Sequence, residues 1–251
     1  MRSPRIYVTQ PLQLGLPLEL SGSQANHLGR VLRVKKGETV TLFNGEGGQW
    51  QATVEQTDRR SVRVLPHTHN NDDRESGLQI ILGQVLSRGE RMDYAIQKSV
   101  ETGVSRIVPL FSQRCEVHLN QERLQKRLQH WQSLIISTCE QCGRNRIPDI
   151  CVPTVLGEWL DHCQADRKYV LHPPPPSSER QPSASMAMAQ ESCPASVALL
   201  IGPEGGFDCQ ELQQSQKAGF DPLALGPRVL RTETAPVAAI SILQYLWGDW
   251  R

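Results

Sequence analysis

Several things are missing from this chain of 251 residues, and each absence narrows its function. No apolar run approaches the length of a membrane-spanning helix, and residues 1–7 lack the apolar core of a secretory leader. Seven cysteines, an odd number without scaffold spacing, argue against a disulfide framework and for a reducing, cytoplasmic setting. Cys139-Glu-Gln-Cys142 is a lone CxxC with no second pair at zinc spacing, so no metal is expected. It also closes an expected helix, whereas a redox CxxC opens one. Net charge is +1, which excludes a strong overall field. The charge is uneven, however: residues 1–72 hold nine Lys/Arg against six Asp/Glu, and the remainder 18 against 20. A mildly basic front is compatible with RNA and weak by itself.

Two glycine-proline stretches stand out: LLIGPEGGF at 199–207 and LGPRVLRTETA at 225–235. The first runs from a buried apolar strand (197–201) into a tight turn. Asp208 and Glu211 then have capping-box spacing for a new helix, which Gly219 stops. The second follows another strand-like run, and Thr234 with Pro236 opens a helix. Loops just past the ends of parallel strands are where open α/β sheets bind ligands. Neither loop has the Lys-Ser/Thr of a P-loop, and there is no G-x-G-x-x-G. Glu204 repels an anion, so a neutral or cationic ligand, or a ribose hydroxyl, is the better reading. Tight turns without function are the plain alternative.

These two stretches resemble the SPOUT class of RNA methyltransferases, and specifically the RsmE family. The resemblance extends over nearly the whole chain, through RIY at 5–7, NHLGRVLR at 26–33, LGQVLSRGERMDYAIQKSVETGV at 82–104 and EQCGRNRIP at 140–148. It implies S-adenosylmethionine-dependent methylation of N3 of a uridine in 16S ribosomal RNA of the small subunit. It implies an α/β fold in which a trefoil-knotted parallel sheet (73–251) follows a small PUA-like β-barrel (1–72), and a homodimer formed across the knot. The cofactor would lie against three loops: Leu171, His172 and Pro173; Ile201, Gly202, Pro203, Glu204, Gly205 and Gly206; and Leu225, Gly226, Arg228, Leu230, Arg231, Thr232, Thr234 and Ala235.

In chain order, short alternating runs at 39–43, 50–55 and 61–65 predict strands separated by turns. One or two helical turns between 24 and 34 are expected to face Leu28, Val31 and Leu32 inward, leaving His27, Arg30 and Arg33 outside. On charge alone these arginines read as a solvated face; the resemblance makes Arg5, Arg30 and Arg33 expected phosphate contacts, with Arg88 in a matching stretch. A polar linker at 70–77 leads to a strand (78–82), an amphipathic helix (91–102) carrying a Lys98–Glu101 surface pair, and a strand (106–110). This βαβ pattern argues for a mostly parallel sheet. A long helix at 122–142 carries an apolar stripe of Leu124, Leu128, Trp131, Ile135 and Cys139. Arg144 and Arg146 just beyond it either compensate the helix dipole or contact RNA. The proline- and serine-rich stretch after His172 reads as a segment without regular order. The final helix, 235–247, is apolar for most of its circumference and belongs in a core or an interface.

For the chemistry, uridine N3 is a poor nucleophile until deprotonated, and it must be unpaired or flipped out to be reached. Arg231 is the expected stabiliser of the uridinate and Glu233 the candidate base; a helix-start carboxylate is the other reading of Glu233. A non-catalytic RNA-binding factor, a methyltransferase for another RNA and a dinucleotide oxidoreductase are the competing functions.

Overall fold

A computed structural model describes residues 3–71, 73–117, 120–172 and 192–250. The proline-rich expectation falls at 173–191, outside the described residues, as does Pro173 itself. The chain divides into two units, Met1–Glu75 with Ile136–Ile147, and Ser76–Ile135 with Pro148–Arg251. The first boundary lies near the expected one. The return of residues 136–147 to the first unit is not visible in local sequence.

In the first unit, strands β1 (Arg5–Tyr7), β2 (Leu18–Ser21), β3 (Thr39–Phe43), β4 (Gln49–Thr57) and β5 (Ser61–Asn70) form one sheet in the order β1-β3-β4-β5-β2. β3 occupies the expected residues, and β4 and β5 run past the expected ends. The alternation puts Val40, Leu42, Val54, Val62 and Val64 into one core with Ile6, Leu20 and Leu28. A short helix, α1 (Gly22–Asn26), continues as a π-helical turn, His27–Val31. The expected burial of Val31 and Leu32 is wrong: they stay 63% and 43% exposed. The wider π turn shifts the facing of the residues after Leu28, and Arg33 then adopts φ +53°. His27, Arg30 and Arg33 are exposed as expected.

The second unit is built on a parallel sheet of β6 (Gln79–Val85), β7 (Arg106–Phe111), β8 (Asp149–Ile150), β9 (Thr154–Val155), β10 (Arg167–Leu171), β11 (Ser196–Ile201) and β12 (Asp221–Leu223). The main path runs β12-β10-β11-β6-β7-β8, and every pairing in it is parallel. Central strands covered on both faces require near-continuous apolar runs, which is what SVALLI in β11 supplies. Ala198 and Leu200 join Val85, Trp159, Phe207 and Phe220 in a core on one face. Helices α4 (Leu156–His162) and α5 (Cys209–Lys217) pack together on that side, while α2 (Glu90–Glu101) packs on the final helix, α6 (Thr234–Trp247). The remaining helix, α3 (Gln121–Cys142), buries Trp131, Ile135 and Cys139 of its expected stripe. Gly83 in β6 is required by packing: a Cβ there would lie 2.5 Å from the Trp159 ring.

The order of the strands creates a switch point. From β6 the chain moves outward through β7 to β8, then returns to build β10, β11 and β12 on the other side of β6. The carboxyl ends of β6, β10, β11 and β12 therefore share one edge, where ligands sit in open parallel sheets.

Candidate active site

At that edge lies a cleft of about 710 Å³. Its walls are the ends of β10 and β11 (Leu171, His172, Ile201), the turn Gly202–Phe207, and residues 229–233 with Ala235. A smaller adjoining cavity of about 70 Å³ brings in Leu225, Gly226 and Arg228 beside Leu171, His172 and Leu230. The three expected loops thus converge, although they lie far apart in sequence. Thr234 is the exception. It is the exposed first residue of α6 and does not line the cleft, because the helix carries it away while Ala235 turns inward.

Local chemistry explains the shape. Gly206, at φ +66°, lets the chain turn back after Pro203, and Gly206 N–H donates to the Pro203 carbonyl at 2.9 Å. Asp208 caps α5: its carboxylate accepts from Glu211 N–H at 2.8 Å, and Asp208 N–H donates to Glu211 at 3.0 Å. The buried Glu211 also accepts from Gln113 N–H at 2.7 Å, tying the post-β7 loop to the cleft wall.

The residue that sequence reasoning missed is Gln84. It is fully buried near the end of β6, and its Nε2 donates to the Val85 carbonyl at 3.1 Å and to Thr232 Oγ1 at 3.0 Å. Thr232 in turn donates to the Gly202 carbonyl at 2.7 Å. One relay therefore links β6, the GPEGG turn and the RVLRTETA loop. Its only sequence signal was a polar residue within the apolar run IILGQVL.

The charges at the rim are largely compensated. Arg91 pairs with Glu204 at 2.6 Å, and this bond holds the guanidinium pKa above its ordinary value. Arg114 donates to the Gly205 carbonyl at 2.9 Å. Glu204 is thus neutralised from within the unit, which weakens its expected effect on anions. The Arg231 side chain is 82% exposed at the mouth, whereas that of Glu233 is only 15% exposed, with the closest approach between them 4.0 Å. Glu233 occupies the N-cap position of α6 without a side-chain cap bond, so the helix-start reading lacks its hydrogen bond.

A family model described as RNA methyltransferase domain matches residues 74–244, and one described as RNA methyltransferase PUA domain matches residues 20–66. The Ribosomal RNA small subunit methyltransferase E of Buchnera aphidicola subsp. Schizaphis graminum is 36% identical over 252 residues, covering 99% of this chain and 98% of that protein. The chain belongs to the ribosomal RNA small subunit methyltransferase E family. The family's Bacillus subtilis protein is 26% identical over 94% of this chain and 93% of its own length. The Neisseria gonorrhoeae member, solved bound to S-adenosyl methionine, matches with TM-score 0.89 and 37% identity over 100% of each chain.

Family membership does not make every expected arginine an RNA contact. Arg144 is 7% exposed and holds Glu75 through Nε, at 3.1 Å, and Nη2. Arg5 donates to Asn145 Oδ1 at 2.7 Å, to the Arg144 carbonyl at 3.2 Å and to Gln49. Both are corrected to internal ties of the first unit: Arg144 is buried on Glu75, and Arg5 spends both of its terminal nitrogens inside the unit while its Nε is buried without a partner. Arg146 pairs with Asp73 at 2.9 Å and keeps half of its side chain exposed. Arg30, Arg33 and Arg88 remain on the surface, Arg88 beside Glu116 at 3.1 Å. Cys139 is buried, its thiol pushed up to about 12 chiefly by desolvation, so it packs in the core and is not a reactive thiol. Among the described residues no cluster of His, Cys, Asp or Glu fits a metal ion, and no helix is long and apolar enough to cross a membrane.

Proposed function

We propose that this member of the ribosomal RNA small subunit methyltransferase E family transfers a methyl group from S-adenosylmethionine to N3 of one uridine in 16S ribosomal RNA. The observation that carries the reading is the convergence of the three loops on one cleft, with Arg231 at its mouth.

The residues present fit the cofactor. About 710 Å³ lies within the usual range for small-ligand sites. Leu171, Ile201, Leu230 and Ala235 supply apolar walls for adenine and the methionine chain, and the glycine turn supplies peptide groups for the ribose. The sulfonium brings an already activated methyl group. The protein's own task is alignment, deprotonation and charge stabilisation. Arg231, free to swing at the rim, faces the negative charge that develops on the uracil oxygens as N3 loses its proton. Glu233, held close by and uncommitted to the helix cap, accepts that proton directly or through water. The Gln84–Thr232–Gly202 relay keeps the two loops in register while this happens.

Arg30 and Arg33 on the first unit, with Arg88 and Arg146, supply phosphate contacts that orient the RNA. Tyr94 on α2 and Tyr245 on α6 are 47% and 65% exposed, on two helices that pack together, and a homodimer across these helices would cover them. The trefoil knot and a cytoplasmic location belong to the same proposal. Labelled S-adenosylmethionine, offered with purified small ribosomal subunits and with naked 16S RNA, tests the reaction. Transfer to either substrate supports it. Cofactor binding without transfer to either points to another RNA, and absence of cofactor binding sinks the enzyme.

A further inference from the structure

Beyond the cofactor cleft lies a second groove of about 670 Å³, between the loop after β6 and the first half of α3. Its floor is apolar: Leu86 and Trp131 are 2% and 1% exposed, with half-buried Val117 beside them. Asp93 fixes that floor, accepting from Trp131 Nε1 at 3.2 Å and pairing with His130 at 2.7 Å. The rim is cationic, with Arg88, Arg123, Lys126 and Arg127 around it.

Two of these cations have carboxylate partners, Arg88 with Glu116 at 3.1 Å and Lys126 with Glu122 at 2.7 Å. The guanidinium groups of Arg123 and Arg127 have no ion-pair partner among the described residues. The groove also connects to the reaction site. Arg88 and Glu116 line an intermediate depression whose other wall is Arg91, Arg114, Glu204 and Gly205, the rim of the cofactor cleft. An apolar slot with a cationic rim, open at one end to a site that needs an unstacked base, has the chemistry of a single-stranded nucleotide track.

We propose that this groove binds RNA flanking the target uridine, with Arg123 and Arg127 on phosphates. The inference rests on the RNA-methyltransferase reading and assigns part of that substrate a place. An acidic protein segment is the rival occupant; the groove's continuity with the cleft favours RNA.

The test uses R123E, R127E and the double variant of the full chain. Three quantities are measured: KM and kcat on small ribosomal subunits, calorimetric affinity for S-adenosylmethionine, and the salt dependence of binding to oligouridylate. We expect KM to rise about tenfold or more in the double variant, given the salt-sensitive weight of phosphate contacts. The slope of log affinity against log salt should fall by roughly 1.4, about 0.7 for each single-strand phosphate lost. Melting temperature, cofactor affinity and saturating kcat should hold. Unchanged KM and slope overturn the groove, as does polyglutamate displacing oligouridylate at equal concentration. If wild type methylates no RNA while the slope effect persists, the proposed reaction fails and the groove stands.

Discussion

Gln84 and Thr232, 148 residues apart in sequence, share a buried hydrogen bond of 3.0 Å that fastens the RVLRTETA loop to the end of β6. Because Thr232 Oγ1 donates its own hydrogen bond to the Gly202 carbonyl at 2.7 Å, this single hydroxyl also ties the two glycine loops together.

Replacing Thr232 with Val keeps the shape and removes both bonds. A half-buried carbonyl and one buried amide N–H then lose partners, at a cost of about 1–3 kcal/mol. Affinity for S-adenosylmethionine should fall about tenfold by calorimetry, the equivalent of roughly 1.4 kcal/mol, and Thr232→Ser should restore most of it. Gln84→Leu should act through the same relay, so the double variant loses less than the sum of the singles. Strict additivity would show that the relay does not couple the loops.

Arg231 and Glu233 should separate chemistry from binding. Arg231→Ala is expected to lower the single-turnover rate about a hundredfold or more, the scale on which a charge-stabilising donor acts, with a smaller change in cofactor affinity. Glu233→Gln should slow the same step and shift its pH dependence. A near-normal rate for Glu233→Gln eliminates that carboxylate as the base.

Gly83 offers a packing test. A methyl added there would meet the Trp159 ring at 2.5 Å, and overpacking of this kind costs about 1–3 kcal/mol. Gly83→Ala should therefore lower the melting temperature by a few degrees, roughly 2–4 °C per kcal/mol in a chain of this size. Adding Trp159→Leu should recover part of that loss. A double variant no better than the two singles combined would contradict the contact.

The first unit carries a pH signature at Glu140. Desolvation raises its carboxyl above the ordinary value of 4.5, against the opposing bond at 3.0 Å from Tyr7 N–H and the charges of His27 and Arg5. A raised carboxyl favours the protonated folded form, so its contribution is present below the unfolded pKa and is lost as pH rises through the folded one. Glu140→Gln keeps an acceptor for Tyr7 and should raise the melting temperature of this unit at neutral pH. That advantage should vanish below about pH 4, where the unfolded carboxyl is protonated as well. An advantage that grows in acid would reverse the sign argued here.

What sequence could reveal depended on how far each signal reaches. The strand at 39–43, the capping box at Asp208 and Glu211 and the start of α6 are written in neighbouring residues and were legible. So were the two glycine loops. Val31 and Leu32 misled because a 3.6-residue period was applied across a π-helical turn. Arg5 and Arg144 read as surface cations because Asn145 and Glu75, their partners, lie 140 and 69 residues away. Gln84 stood out locally only as a polar residue in an apolar run, and its role stayed hidden because its partner is in the last loop. Fold and loops were local or periodic facts; the pairings that assemble the site were not.

The most direct measurement of the central claim is mass-spectrometric mapping of small-subunit RNA after reaction with wild type and with Arg231→Ala. The account predicts N3-methyluridine at one position with wild type and little or none with the variant in the same time. Methyl on another atom or another base, or an equal yield from Arg231→Ala, would contradict it.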